Sequence, residues 1–457
     1  MVKITMENLI KTVPEPVIAA LRTLEDAGYG AYMVGGCVRD MAMGKKPCDW
    51  DMTTSARPEQ IKEVFSSEKT LDTGIKHGTV TLMAGGMSME ITTYRVESGY
   101  SDHRHPDKVA FSGELADDLA RRDFTINAMA LDRRGGLTDL FGGLDDIAQR
   151  KIRCVGEPAE RFEEDALRIM RAMRFASRLE FTIEKNTLAA AHDRAGLLEQ
   201  ISPERLRDEL TGILCGRGAG RIILDETQII GCVVPEIIPC KGFEQKNPHH
   251  IYDVLGHIAA AVDATAPVKD LRLAAFFHDI GKPGCFTTDE KGTGHFYDHA
   301  RLSAEITEKV MKRLRFDNET TEKVTSLVKY HGMQIEPEPK YVKRAMNRLS
   351  PEIFFELLAL KRADNMAQSP QFSDRQKTYD KLEQIARMII EDEQCFSLKD
   401  MAVRGSDLIR LGIGQRPEIG RILNELLEAV IDGRVANDKD ALLELAMKTA
   451  AAPAKKR

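Results

Sequence analysis

No run of roughly 18 apolar residues occurs in the 457-residue chain, which excludes a membrane-spanning helix. Cysteine occurs eight times, but with no CxxC pair and no regular spacing. That pattern excludes a disulfide framework and points to reduced thiols in a cytoplasmic protein. Aromatic residues are scarce, at 6%, while charged residues reach 30%, a balance that suits a soluble, helix-rich protein. The net charge of −6 lacks the basic excess of a chain that coats nucleic acid indiscriminately, yet leaves room for a local basic groove. There is no internal repeat, and low complexity is confined to the short tail at 450–457. Met1 to Asn8 carry acid and lack an apolar stretch long enough for a signal peptide.

The length allows roughly two to four domains with ample core. Residues 16–27 place Val17, Ile18, Leu21 and Leu24 on one side of a helix that Gly28 and Gly30 end. Ala31 to Val34 reads as a strand. It runs into Gly35 and Gly36, which can bring backbone N–H groups close to a phosphate, with the start of a helix behind them. Arg39 lies about one helical turn on. Asp49 and Asp51 then stand two apart in a predicted strand, and period-two geometry sends them to one face. Paired carboxylates beside a phosphate cradle supply what two-metal phosphoryl transfer needs: hard oxygen ligands for Mg²⁺, with the metals clamping attacking and leaving oxygens. Either piece alone reads as a glycine turn or a solvated acidic loop. Together, in this order, they favour nucleotidyl transfer.

Arg57 to Ile61 starts another helix, and 79–83 and 88–95 read as strands joined by 84–87. Glu90 alternates with Thr92, which makes it either a third carboxylate on the Asp49/Asp51 side or a solvent-facing glutamate. Residues 96–106 lack periodicity and read as a mobile loop, in which Arg104 can touch a phosphate or simply face solvent. Asp118 to Ala130 is a second polar cluster. Arg122 can pair with a triphosphate, and Asp123 and Asn127 can bind ribose hydroxyls; the alternative is a salt-bridged helix start. Glu164 to Phe175 reads as one helix, with Leu167, Met170, Met173 and Phe175 on its apolar side and Arg168, Arg171 and Arg174 over a broad face. Asp165 and Arg168 are neighbours at i,i+3. A carboxylate accepts from an exocyclic amino group and a guanidinium donates to a ring acceptor. One such pair can therefore read cytosine or adenine and reject uracil and guanine. The remaining arginines can hold phosphate. A surface salt bridge is the commoner fate of such a pair.

Ser202 to Arg205 opens a further helix with a capping start, Gly216-Arg217-Gly218 breaks it, and Pro235 and Pro239 mark a boundary. Most of the histidines then crowd together: His249, His250, His257, His278, His295, His299 and His331. His278-Asp279 follows an apolar helix from Leu271 to Phe277 and offers two metal ligands of different hardness. His257 and Asp364 can complete one site, and His250, His299 and His331 can bind a second metal. Residues 375–392 form another helix. The last stretch is a small helical module in which Arg404, Arg410, Arg416 and Arg421 can track an RNA backbone or line solvated faces.

The ordered set Val34 to Asp40, Asp49/Asp51, Arg121 to Ala130 and Glu164 to Phe175, followed by the His-Asp segment, resembles the bacterial class II tRNA nucleotidyltransferases, the CCA-adding enzymes. These belong with the poly(A) polymerases in the polymerase-beta-like nucleotidyltransferase superfamily. The resemblance covers almost the whole chain. It implies an α+β fold with a small mixed β-sheet nucleotidyltransferase head at 1–140. All-α parts follow: a neck at 141–215 that reads the base, a body at 216–366 with an HD-type metal site, and a tRNA-binding tail at 367–457. It implies Asp49 and Asp51 as catalytic Mg²⁺ ligands and Gly36, Arg39 and Arg122 as contacts to the incoming nucleotide. Asp165 and Arg168 would read the base, with Arg171 and Arg174 beside them. The implied partners are tRNA, CTP and ATP, and the implied reaction is template-independent addition of C, C and A to the tRNA 3′ end, by a monomer or homodimer. Enzymes that add only CC or only A, and poly(A) polymerases, share these motifs. His257, His278, Asp279 and Asp364 match a minimal HD set, with His250 as an alternative first ligand. Such a set implies Ni²⁺ or Mn²⁺ and hydrolysis of phosphomonoesters or cyclic phosphates, or else an inactive tRNA-binding body. Cys48 stands where the family often has glycine, and a small residue is kept.

Overall fold

The computed structural model describes residues 10–75, 78–98, 108–413 and 416–451. The chain divides into two compact units, Met1–Ile238 and Pro239–Arg457. Among the described residues no helix is long and apolar enough to cross a membrane.

The first unit is built on a mixed sheet. Its strands are β1 (Ala31–Val34), β2 (Asp51–Thr54), β3 (Lys69–Gly74), β4 (Thr79–Ala84), β5 (Met87–Thr93), β8 (Met129–Leu131) and β9 (Leu137–Asp139). A separate antiparallel pair joins β6 (Arg95–Ser98) to β7 (Lys108–Phe111). The sheet order is β3-β4-β5-β2-β1-β8-β9, and only the β2–β5 pair is parallel. The sequence reading does not anticipate β3. It is an edge strand with exposed Lys69, Leu71 and Asp72, so it shows no apolar alternation.

Alternation gives the sheet two unlike faces. Met33, Met52, Val80, Leu82, Met89 and Ile91 are buried on one. They share a core with Val17, Leu21 and Leu24 of α1 (Glu15–Asp26) and Ile61 of α3 (Pro58–Val64). The other face carries Asp51 and Thr53 of β2, directly opposite Glu90 and Thr92 of β5. On this face Val34 and Ala130 pack against Leu119 of α4 (Leu115–Ala120). A slip of one residue in β2 would turn Asp51 into the core and Met52 out of it. The apolar face therefore fixes where the carboxylates point.

Helix α2 (Gly36–Ala42) follows β1. Further on, the expectation of one continuous helix from Glu164 fails. Helix α5 (Pro158–Glu164) ends at Asp165, whose backbone is extended (φ −138°, ψ 101°), and α6 (Leu167–Leu179) starts afresh. The Asp165 carboxylate accepts the Leu167 N–H at 3.1 Å, the competition that makes aspartate a poor residue inside a helix. Helix α7 (Pro203–Leu214) packs on α6. The Ser202 side chain makes no cap hydrogen bond, contrary to the sequence reading. A short parallel pair joins Lys151–Ile152 to Thr182–Ile183.

The second unit is mostly helical: α8 (Val254–Ala264), α9 (Lys269–Phe277), α10 (His299–Arg313), α11 (Asn318–Tyr330), α12 (Pro351–Met366) and α13 (Arg375–Glu391), with a hairpin of Phe286–Thr288 and Gly294–Phe296. Every residue from Leu271 to Phe277 is buried, so α9 is a central helix. Residues 395–446 hold a separate small core around Leu408, Ile422, Leu426 and Leu442.

Candidate active site and metal centre

β1 delivers the chain to Gly35, whose φ of 73° suits glycine. A Cβ there would stand 3.1 Å from Arg122 Nη1 and 3.8 Å from Asp51 Oδ2, so space is also short at this position. Asp51 opens β2 as the sequence suggests. Asp49 does not share the strand: it lies exposed in the bend before it, with buried Trp50 between the two. The strand period therefore does not aim Asp49; the bend anchored by Trp50 does. Burial is the main reason the Asp51 pKa is raised, and Glu90 raises it further. Arg122 opposes them, and Asp49 adds a smaller push upward. Three carboxylates that repel one another beside a single guanidinium fit a hard divalent cation, which would relieve that repulsion.

The arginines form a network. Arg39, nearly buried, donates to Asp40 Oδ1 from Nε (2.9 Å) and Nη2 (2.7 Å), and to Asn127 Oδ1 from Nη1 (2.8 Å). Asn127 donates to Asp123 Oδ1 at 3.1 Å, and Arg171 grips Asp123 Oδ2 through Nε (2.9 Å) and Nη2 (2.6 Å). Burial alone would raise the Asp123 pKa, but Arg171 and Asn127 outweigh it and hold the value at about 2. Arg174 donates to Glu209 at 2.5 Å. Phe175, read from sequence only as an apolar residue, gathers three of these cations over its ring: Arg39 at 5.3 Å, Arg171 at 5.6 Å and Arg174 at 4.4 Å.

Asp165 and Arg168 are not partnered with each other through their side chains. Asp165 accepts from Arg205 Nη2 of α7 at 3.0 Å. Arg168, 7% exposed, donates to Glu164 (2.8 Å) and to the carbonyls of Arg161 (3.2 Å) and Arg121 (3.1 Å). The surface salt bridge that spacing alone favours is thus replaced by two separately anchored groups. Arg205 and Glu209 lie far along the chain, and the sequence reading gives Arg205 only a place at a helix start and Glu209 no role.

Arg104 and residues 99–107 of the predicted loop lie outside the described residues, as does the Arg416 side chain. In the last helical module Arg404 donates to the Leu398 carbonyl (3.1 Å) and Arg421 to Glu425 (2.8 Å), while Arg410 is 3.9 Å from Asp407.

In the second unit the structure brings the histidines together. Nε2 of His257 and of His278 both lie 3.2 Å from Asp279 Oδ2, and His257 Nε2 is 3.0 Å from Asp364 Oδ1. On the other side Asp279 Oδ1 faces Nε2 of His299 (3.5 Å) and His331 (3.6 Å). Two candidate ligand groups, His257/His278/Asp279 and Asp279/His299/His331, therefore share one carboxylate, and within each group the ligand atoms lie within 4.8 Å of one another. Each of the four rings places Nδ1 against a backbone carbonyl, of Ala367, Ala275, Phe296 and Val328 respectively. Donation there leaves the Nε2 lone pair facing inward, the tautomer a metal ligand needs. Asp279 Oδ1 is buried without a hydrogen-bond partner. Burial disfavours a His257 imidazolium, but the carboxylates of Asp279 and Asp364 outweigh it and raise its pKa to about 9. His250 is set apart from both groups: it packs edge-on against His257 at 5.1 Å, and burial, aided by Lys282, lowers its pKa to about 3.

Carboxylates in register on one face of a small mixed sheet, next to a glycine turn and the arginines of α6, define the class of protein: a nucleotidyltransferase. Residues 31–153 match the Poly A polymerase head domain family. Residues 180–240 match a probable RNA and SrmB-binding site of polymerase A, and residues 286–446 a putative tRNA nucleotidyltransferase domain 2. The CCA-adding enzyme of Limosilactobacillus reuteri is 35% identical over 95% of this chain and 97% of its own, and that of Lactiplantibacillus plantarum is 36% identical over 93% and 94%. The chain belongs to the family of CCA-adding enzymes. The Bacillus stearothermophilus CCA-adding enzyme in complex with CTP superposes with a TM-score of 0.74 at 28% identity, covering 95% of this chain and 97% of that one.

Proposed function

We propose that this chain adds C, C and A to the 3′ end of tRNA, taking CTP and ATP in turn without a nucleic-acid template. The observation that carries the reading is Asp51 in register with Glu90 on one face of the sheet, with Arg122 beside Gly35. Asp49 and Asp51 would hold Mg²⁺, which would neutralise charge on the reacting phosphate and lower the pKa of the attacking hydroxyl. Gly36, Arg39 and Arg122 line the triphosphate. Asp123 and Asn127, tied to Arg39 and Arg171, orient the ribose. Asp165 accepts from the exocyclic amino group of cytosine or adenine, and Arg168 donates to the ring acceptor. Arg171 and Arg174, stacked on Phe175, hold the charge around the nucleotide. The bound CTP of the Bacillus relative supports the nucleotide assignment.

The working division is head 1–140, neck 141–215, body 216–366 and tail 367–457, in a cytoplasmic monomer or homodimer. A second reading is favoured by the inward-facing imidazoles: His257, His278, Asp279 and Asp364 form an HD-type site for Mn²⁺ or Ni²⁺ that hydrolyses phosphoesters. The first ligand is His257 rather than His250.

The test is incubation of purified protein with tRNA lacking its 3′ end, Mg²⁺, and CTP and ATP singly and together. Ordered addition of C, C and A, reduced about 10³-fold or more in Asp49→Ala, supports the reading. Arrest after CC, addition of A alone or a long A tract would each refute full CCA addition.

A further inference from the structure

Asp118 is wholly buried on α4, and it touches both the strand of Asp51 and the arginine beside Gly35. Its Oδ1 accepts from Arg121 Nε (2.9 Å) and Nη2 (2.6 Å). Its Oδ2 accepts from Arg122 Nη2 (3.1 Å) and lies 3.1 Å from Thr53 Oγ1, whose single proton it shares with the Thr92 carbonyl, also at 3.1 Å. Thr53 lies two residues past Asp51, on the same face of β2. Arg122 Nε is buried without a partner, so Asp118 is the hydrogen-bonded anchor of this guanidinium. Arg121 extends the chain of contacts, since its carbonyl accepts Arg168 Nη2 at 3.1 Å. A carboxylate that receives three guanidinium N–H groups and shares a hydroxyl proton has most of its acceptor capacity filled. Its charge is also needed: a neutral group in its place would leave two guanidiniums without their shared counter-charge and turn an N–H donor toward donors.

We propose that Asp118 is a positioning residue for nucleotidyl transfer: it holds Arg122 against the glycine turn in register with Asp51, and so sets where the triphosphate lies. The inference rests on the transfer reading above. It assigns Asp118 a part in the reaction that needs no contact with substrate. It also links the catalytic strand, through Thr53, to the anchor of the base-reading arginine, through Arg121.

The experiment is steady-state kinetics on full-length protein with truncated tRNA, Mg²⁺, CTP and ATP. Asp118→Asn raises the KM for both nucleotides about tenfold, and in an Arg122→Ala background it adds little, because the two side chains act as one unit. Thr53→Val keeps the side-chain shape, removes the contacts to Asp118 and to the Thr92 carbonyl, and raises KM about two- to threefold. A merely structural role for Asp118 would move stability and leave KM alone. Wild-type KM in Asp118→Asn, or effects that multiply with Arg122→Ala, overturn the proposal. Where Asp118→Asn does not fold, wild-type KM in Thr53→Val overturns it. If the wild-type protein incorporates nothing, the transfer reading falls and takes the role of Asp118 with it. If wild type is active and the variants match it, only the role of Asp118 falls.

Discussion

Asp123 shows how a buried charge is held in this protein. It is 8% exposed, and its carboxylate lies between a bidentate arginine and an asparagine amide. Its pKa of about 2 is below the unfolded value near 3.9. A depressed folded-state pKa contributes stability that is fully present above about pH 4 and is lost as pH falls toward 2. The contribution is on the order of 2–3 kcal/mol. Asp123→Asn should therefore lower stability at pH 7 by about that amount and flatten the loss between pH 4 and pH 2, both read from urea unfolding. An unchanged acid limb would remove Asp123 from the list of groups that set acid sensitivity.

At the scale of elements, the break between α5 and α6 matters most. A continuous helix would have placed Asp165 and Arg168 on one surface, free to neutralise each other. The extended backbone at Asp165 instead presents its carboxylate to Arg205 of α7, while Arg168 turns inward to backbone carbonyls. Arg205→Met should loosen Asp165 with a stability change below about 1 kcal/mol, since the pair is partly exposed. The expected result is about a tenfold loss of discrimination for CTP and ATP over UTP and GTP, measured as ratios of kcat/KM. Unaltered ratios would mean that Asp165 needs no help from α7.

On the scale of the whole molecule, each unit holds its own set of candidate metal ligands, and metal dependence can be tested on each. The carboxylates of the first unit suit a hard cation; the imidazole-rich set of the second suits a softer one. In an Asp49→Ala background, Mn²⁺ at about 100 times its Kd should stabilise the protein by about 2.7 kcal/mol, seen as a rise in Tm that EDTA reverses. His278→Ala, which removes an imidazole 3.2 Å from Asp279, should abolish that rise. An equal rise in both proteins would place the bound Mn²⁺ elsewhere.

The sequence by itself determined the parts that depend on local period and composition. Asp51 and Glu90 each alternate with the apolar residues of their own strands, though only the parallel pairing of β2 with β5 set them side by side, and the histidines were conspicuous because they crowd one segment. The sequence also determined the class of chemistry, because glycine pair, carboxylates and arginine clusters come in one order. Only the tertiary structure decided what those groups do to each other. Asp49 is aimed by a bend around buried Trp50, Asp165 is held by an arginine 40 residues away, and Asp279 serves two histidine pairs at once. These are contacts between groups distant in sequence. They are set by how buried faces pack and by where a buried charge finds its counter-charge, and neither leaves a trace in local spacing.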